Sequence, residues 1–102
     1  MKIREVNENK KQFIALLLLA DEQESMVDRY LEKGTMYVLE DDDVKTECVV
    51  TDESNEILEI KNIAVNPENQ GKGYGKALID FLANKYADEY SVLQVGTGDS
   101  PL

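Results

Sequence analysis

The sequence predicts a single α/β domain with a mixed sheet, in the order β-α-α-β-β-β-α-β. Three observations predict it. Short runs rich in β-branched and apolar residues recur with turn residues between them. Two stretches with helical apolar spacing lie between the first of these runs and a hairpin. A glycine-rich turn then joins the longest strand to one more amphipathic stretch: three of the chain's six glycines, Gly71, Gly73 and Gly75, fall within five residues.

The elements follow in order. Lys2–Val6 alternates apolar and polar residues and reads as a strand. Asn7 or Asn9 is placed to cap a helix running to about Ala20. Asp21, with Glu24 three residues later, has a loose capping-box pattern for a second helix. That helix carries Met26, Val27, Tyr30 and Leu31 at helical spacing and stops at Gly34. Thr35–Glu40 is a strand, Asp41–Asp43 a turn and Val44–Thr51 the returning strand of a hairpin. After a second turn at Asp52–Asn55, Glu56–Val65 is the longest strand, ended by Pro67. Lys76 to about Asp88 reads as a helix whose apolar face is Leu78, Phe81, Leu82 and Tyr86, and Ser91–Thr97 as a last strand.

Composition narrows the function. A chain of 102 residues forms one domain, residues 1–102, without repeat or linker. Its 21 acidic and 11 basic residues give a formal charge of −10. That balance argues against a nucleic-acid footprint, which needs clustered Lys and Arg. It is compatible with a cationic partner such as an amine, and equally with a plain solvated surface. The longest apolar run, Phe13–Ala20, is 8 residues, far short of the roughly 20 of a membrane span. With one cysteine, Cys48, and no secretory signal, the chain suits a reducing cytoplasm. There is no histidine, which removes Ser-His and Cys-His nucleophiles and the commonest zinc ligand. No metal site is expected. The Asp41–Asp43 run lacks the remaining ligands of a calcium loop and reads as a solvated turn.

The glycine cluster carries the chemistry. Glycine accepts positive φ and lets a backbone approach a ligand closely. A helix starting just after such a turn offers unpaired N–H groups and the positive end of its dipole, an anion site suited to phosphate or pyrophosphate. Lys72 and Lys76 add positive charge at its rim. The spacing is neither the Walker pattern nor the dinucleotide fingerprint, which would place Gly or Ala where Lys76 stands. What stands here is Gln70-Gly71-Lys72-Gly73-Tyr74-Gly75. The alternative is a tight strand-to-helix turn with no ligand, or a generic phosphate-binding domain.

With that motif, the strand LEIKNIAVNPENQ before it and the helix KALIDFLANKYA after it, the chain resembles the GNAT superfamily of acyl-CoA-dependent N-acyltransferases. The resemblance implies acetyl-CoA as donor, with its pyrophosphate on the amides of Gln70, Gly71, Lys72, Gly73, Tyr74, Gly75 and Lys76. It implies that the backbone of Ile63, Ala64 and Val65 pairs with the pantetheine arm and polarises the thioester. Direct transfer to a primary amine of a small molecule or protein would follow through a tetrahedral intermediate. Glu59, eleven residues before Gln70, matches the position of the glutamate base in several members. Burial on a central strand would raise its pKa towards that of a base. Strict alternation puts Glu59, Lys61, Ile63 and Val65 on one face and Leu58, Ile60, Asn62 and Ala64 on the other. Pairing with Lys61 would move the Glu59 pKa the other way.

The family's domain continues beyond the strand at Val92–Val95 into a helix that carries a tyrosine acid, and then further strands. Here that helix and those strands are expected to be missing, with Asp99 or Ser100 as a cap that no helix follows. Tyr74, Tyr86 and Tyr90 lie on the wrong elements to replace the tyrosine. The open edge of strand 91–97 is expected to pair with another chain, as in a homodimer. A truncated, non-catalytic module that binds CoA or self-associates is the rival reading. Met26, Tyr30 and Met36 are candidates for an acceptor pocket, with core packing as their default, and Cys48 reads as a buried inert thiol.

Overall fold

The structure, a computed structural model, describes residues 1–96. Its elements are β1 (Lys2–Val6), a 3-10 turn (Lys10–Phe13), α1 (Ile14–Ala20), α2 (Glu24–Asp28), β2 (Thr35–Asp41), β3 (Asp43–Asp52), β4 (Ile57–Val65), a second 3-10 turn (Pro67–Asn69), α3 (Tyr74–Lys85) and β5 (Val92–Val95). The five strands form one sheet in sequence order. β1 to β4 pair antiparallel, and β5 pairs parallel to β4. The expected order of elements is therefore found. Thr97, Asp99 and Ser100 lie outside the described residues.

Strand alternation sorts the core onto two sides. Met36, Val38 and Val49 face the side covered by α1 and α2, where they meet Val6, Leu17, Val27, Tyr30 and Leu31. Tyr37, Cys48 and Val50 face the opposite side and pack with Leu58, Ile60, Leu78 and Leu82 under α3. Tyr37 adds a polar tie across that layer, its hydroxyl 2.6 Å from that of Tyr86. Leu78 and Leu82, one turn apart, are fully buried, so α3 docks by a single stripe.

The first helical region departs from expectation. Asn9 starts it with φ 48° and no side-chain cap, and the first turn is 3-10. The expected capping box at Asp21 does not form: α2 begins at Glu24 behind Gln23, and spans only five residues. Asp21 instead ends α1, its N–H donating to Leu17 O at 3.2 Å, and it accepts the Tyr30 hydroxyl. Its carboxylate is thus engaged by a tertiary contact rather than by local capping.

The segment after α2 is held by Lys10, which no local sequence pattern marks. It is 9% exposed. Its ammonium donates to Leu31 O at 2.9 Å and Gly34 O at 2.8 Å, closing the carbonyl end left by the short helix. Gly34 sits in close quarters there: a Cβ would lie 2.7 Å from the Val49 side chain and 2.9 Å from Tyr30 O. Lys10→Met leaves these buried carbonyls without their charged donor. It is expected to lower unfolding free energy by about 2–3 kcal/mol, read from urea melts; a change below about 0.5 kcal/mol would show that solvent replaces the ammonium freely.

Candidate functional site

β4 does not keep one register. Val50 pairs with Ile60 and Val49 with Asn62, so Lys61 has no partner on β3. An extra residue in one strand shifts the parity of everything beyond it. Leu58 and Ile60 pack on the α3 side, and so does Ile63. Asn62 points to the α1 side, where its Nδ2 donates to Leu17 O and to the Tyr30 hydroxyl, both at 2.9 Å. The expected faces are corrected accordingly: Glu59 and Lys61 share the α1 side with Asn62, and Ile63 and Val65 lie opposite. Burial nevertheless alternates without a break along β4, so the change of face leaves no mark in the apolar pattern.

The far edge of β4 is paired over its first half. β5 pairs with β4 only from Ile57 to Ile60, closed by the Gly96 N–H on Ile60 O at 2.8 Å. Beyond it, the described residues leave that edge of β4 uncovered. The Asn66 N–H donates to Lys45 O at 2.8 Å. Counting back by twos, the backbone groups of Ala64 and Asn62 also face β3. Ala64 O accepts the Thr46 hydroxyl as well, at 2.6 Å. Ile63 and Val65 therefore turn their N–H and C=O groups to the open edge, with Val65 O taking a donor from the Gln70 side chain at 3.3 Å.

That edge runs into the glycine turn. Gly71 and Gly73 have φ 80° and 86°, conformations that favour glycine, and a Cβ at either would meet nothing within 4 Å. The turn is thus bare because of its backbone conformation, and the space above it is open. α3 starts at Tyr74, two residues before the expected Lys76, with Gly73 as its cap. The Ala77 N–H donates to Gly73 O at 3.0 Å, so the amides of Tyr74, Gly75 and Lys76 precede the helix's own bonding. A helix end of this kind is suited to an anion. Tyr74 anchors it by donating to Asp41 at 2.7 Å, while Lys76 is engaged by Asp80 at 2.7 Å and Lys72 is exposed.

Glu59 does not have the raised pKa expected of a base. Burial alone would raise it, but Lys61 at 2.6 Å and the Gln94 amide at 2.5 Å outweigh burial and hold the carboxyl below its usual range. The raised carboxyl is Glu47, on β3 opposite Ala64, which sequence reasoning passed over. It is fully buried, and neither carboxyl oxygen has a hydrogen-bond partner among the described residues. Burial pushes it up to about 8, offset only in part by the Ala64 backbone, which does not reach hydrogen-bonding geometry. A glutamate inside an apolar strand run, VKTECVV, was the available signal.

The other candidates resolve simply. Cys48 is buried, and burial raises its thiol, so it is no thiolate nucleophile. Asp43 pairs with Lys45. Met36 is core, Tyr30 is buried, and Met26 is half-buried. Tyr86 bonds Tyr37, and Tyr90 donates to Asp52 at 3.0 Å. Among the described residues, no group of acidic, Cys or His side chains could hold a metal ion, and no helix is long and apolar enough to cross a membrane.

A central strand leading through a glycine turn into a glycine-capped helix on a mixed sheet is an acyltransferase-like architecture. The sequence profile of the acetyltransferase (GNAT) domain matches residues 32–99. The uncharacterized N-acetyltransferase YvbK of Bacillus subtilis (strain 168) is 33% identical over an alignment of 104 positions that covers 100% of this chain and 67% of that protein. Among solved structures, the IAA acetyltransferase of Bacillus cereus ATCC 14579 is 34% identical with TM-score 0.85, covering 97% of this chain and 67% of that one. A GNAT family acetyltransferase from Elizabethkingia anophelis, with acetyl-CoA bound, is 32% identical with TM-score 0.85, covering 97% and 66%. A Bacillus subtilis acetyltransferase in complex with CoA is 33% identical with TM-score 0.82, covering 99% and 68%. The chain belongs to the GNAT acetyltransferase family, whose members are acyltransferases, and it spans about two thirds of these relatives' length.

The Glu47 carboxyl has a consequence for stability. Its pKa is raised on folding, so its contribution is fully present below about 4.5 and is lost as pH rises towards about 8. Urea melts at pH 5 and pH 8.5 are expected to show Glu47→Gln gaining on the wild type by a few kcal/mol at the higher pH. A pH-independent difference would mean that the buried carboxyl ionises without penalty.

Proposed function

We propose that this chain is an N-acetyltransferase module that binds acetyl-CoA and transfers the acetyl group to a primary amine of a small molecule or protein. One observation carries the reading: the β4 edge past the Lys61 bulge, unpaired among the described residues, leads directly into the α3 helix end. The relatives solved with acetyl-CoA and with CoA support the same donor.

In this reading the amides from Gly71 to Lys76 take the pyrophosphate, with Gln70 fixing the end of β4. Bound acetyl-CoA supplies the acyl group as an activated thioester. Ile63 and Val65 offer its amide arm a strand edge, and Ala64 between them keeps that edge attached to β3. Glu59, on the acceptor side of the sheet, is the carboxylate assigned to take the amine's proton. It must first be released by Lys61 and Gln94. That pairing also favours the second reading, a module that binds CoA without turnover. Calorimetry with CoA, beside thioester consumption over a panel of amines, separates the two: binding with turnover supports the enzyme, and binding alone supports the module. Absence of binding defeats both.

Two further parts belong to the proposal. A cytoplasmic location accords with a lone buried thiol in a chain without disulfides. Self-association through β5 accords with the exposure of Val92 and Val95, 45% and 55%, on that short strand. Light scattering at twice the 11.5 kDa chain mass supports it, and a monomer at every concentration rejects it.

Gly73→Val forces a β-branched residue to φ 86°. It is expected to weaken CoA binding by about tenfold or more in calorimetry, and unchanged affinity would remove the loop from the site. Lys61→Met removes the stronger of the two partners that lower the Glu59 pKa. The acid limb of the pH profile of kcat/KM is then expected to move to higher pH. A limb that stays in place would take the base role away from Glu59.

A further inference from the structure

A chain of polar contacts crosses three strands on the face opposite α3, and Glu59 lies in it. Thr51, Glu59 and Gln94 stand opposite one another on β3, β4 and β5. Their strand neighbours Val50, Leu58, Ile60 and Leu93 pack on the α3 side, so this row faces the other way. Gln94 donates to Glu59 Oε1 at 2.5 Å. The Lys61 ammonium lies 2.6 Å from Glu59 Oε2 and 3.7 Å from Glu53 Oε2. Glu53 Oε2 also accepts the Thr51 hydroxyl at 2.5 Å. Among the described residues, Lys61 is the one cation paired with either carboxylate. One ammonium thus stands between two carboxylates, in close contact with one and at ion-pair distance from the other.

The two carboxylates are fixed and the lysine is not. Gln94 holds one oxygen of Glu59. The other lies against the Gly96 backbone, where a Cβ would come within 2.6 Å of Oε2 and 3.0 Å of the carboxyl carbon. Glu53 is held by Thr51, and its N–H donates to Ile57 O at 2.9 Å. Lys61 stands against no residue of β3, and its flexible four-carbon stem is 27% exposed. A small swing of that stem exchanges the short contact for the long one. The Glu59 carboxyl is faced by Lys61 from its own strand, by the uncharged Gln94 from β5 and by Thr51 across β3, and Lys61 in turn by Glu53. None of these groups comes from α1 or α2. With all three charged, the group carries one negative charge in excess, which suits a cationic acceptor.

Resting on the acetyltransferase reading, in which Glu59 takes the amine's proton, we propose that Glu53 is a positioning residue: it receives the Lys61 ammonium when the acceptor's own ammonium comes to Glu59. The exchange leaves two cations on two carboxylates. With Lys61 withdrawn, Glu59 loses the stronger of the partners that hold its carboxyl down, and its proton affinity rises towards that of a base. The acceptor ammonium then passes one proton to Glu59 and becomes the neutral amine. Lys61 keeps its protons throughout, paired with Glu53. Glu53 therefore acts on the reaction through Lys61, without touching the acceptor.

The test begins without an acceptor. The full chain, carrying glutamate labelled with carbon-13 at the side-chain carboxyl, is titrated by NMR, and the Glu59 signal is assigned by its loss in Glu59→Gln. Glu53→Gln removes the charge and keeps an oxygen for the Thr51 hydroxyl. It is expected to lower the Glu59 titration by about half a pH unit or more, because Lys61 then belongs to Glu59 alone. In a Lys61→Met background the same substitution is expected to have less than about half that effect. An unchanged Glu59 titration overturns the proposal, since Lys61 is then not shared. An equal displacement in both backgrounds also overturns it, since Glu53 then acts by plain repulsion. Kinetics with acetyl-CoA and a panel of primary amines tests the role in turnover. Glu53→Gln is expected to lower kcat by about threefold or more, with KM for acetyl-CoA unchanged and the acid limb of kcat/KM moved to lower pH. An unaltered kcat and limb overturns the proposal. A wild type that turns over no amine, with the titrations as expected, defeats the acetyltransferase reading while the sharing of Lys61 stands.

Discussion

One extra residue in β4 governs the site. Lys61 stands against no residue of β3, and the strand beyond it is turned over relative to the strand before it. Leu58 and Ile60 anchor the first half under α3, while Asn62 brings the second half under α1 by bonding Leu17 O and Tyr30. Among the described residues, β5 pairs with the first half. The change of side-chain face along β4 is therefore a consequence of parity, and it needs no special sequence of its own. A bulge of this kind leaves backbone groups unpaired at an edge, which costs stability unless water or a ligand pairs with them.

The helix end completes what the bulge begins. Gly71 and Gly73 take positive φ, so the chain can leave β4 and enter α3 within a few residues. The unpaired amides at the start of α3 then lie at the end of the open edge. A strand edge suited to amides and a helix end suited to phosphate are different interactions, and in the proposed reading one long ligand would use both because they lie in line. Tyr74 and Asp41 tie the helix end to the β2–β3 hairpin, so the turn is held from the far side as well.

The carboxylates show how little a residue's position along a strand says about its chemistry. Glu59 and Glu47 are both strand residues next to apolar neighbours. Glu59 has Lys61 and Gln94 within hydrogen-bonding distance and is held ionised. Glu47 has neither cation nor donor, and burial holds its proton on towards neutral pH. Their environments are separated by one strand and by which neighbours happen to carry charge. A count back from the glycine motif finds Glu59 and has no means of finding Glu47.

By itself, the sequence determined the order of elements, the two-sided sheet and the glycine turn before α3. These are local matters: alternation, helical spacing and the backbone freedom of glycine act within a few residues, and Leu78 with Leu82 or Met36 with Val38 can be read directly. Tertiary structure decided the face of Asn62 and Ile63, because a register shift is a relation between strands, and strict alternation of burial conceals it. It also decided that α2 is short and that Lys10 is buried: three backbone carbonyls brought together from Leu31 to Gly34 hold an ammonium that no local pattern marks. It decided the ionisation of Glu59 and Glu47 for the same reason. Electrostatic environment depends on which atoms are within a few ångströms, and in a sheet those atoms come from other strands.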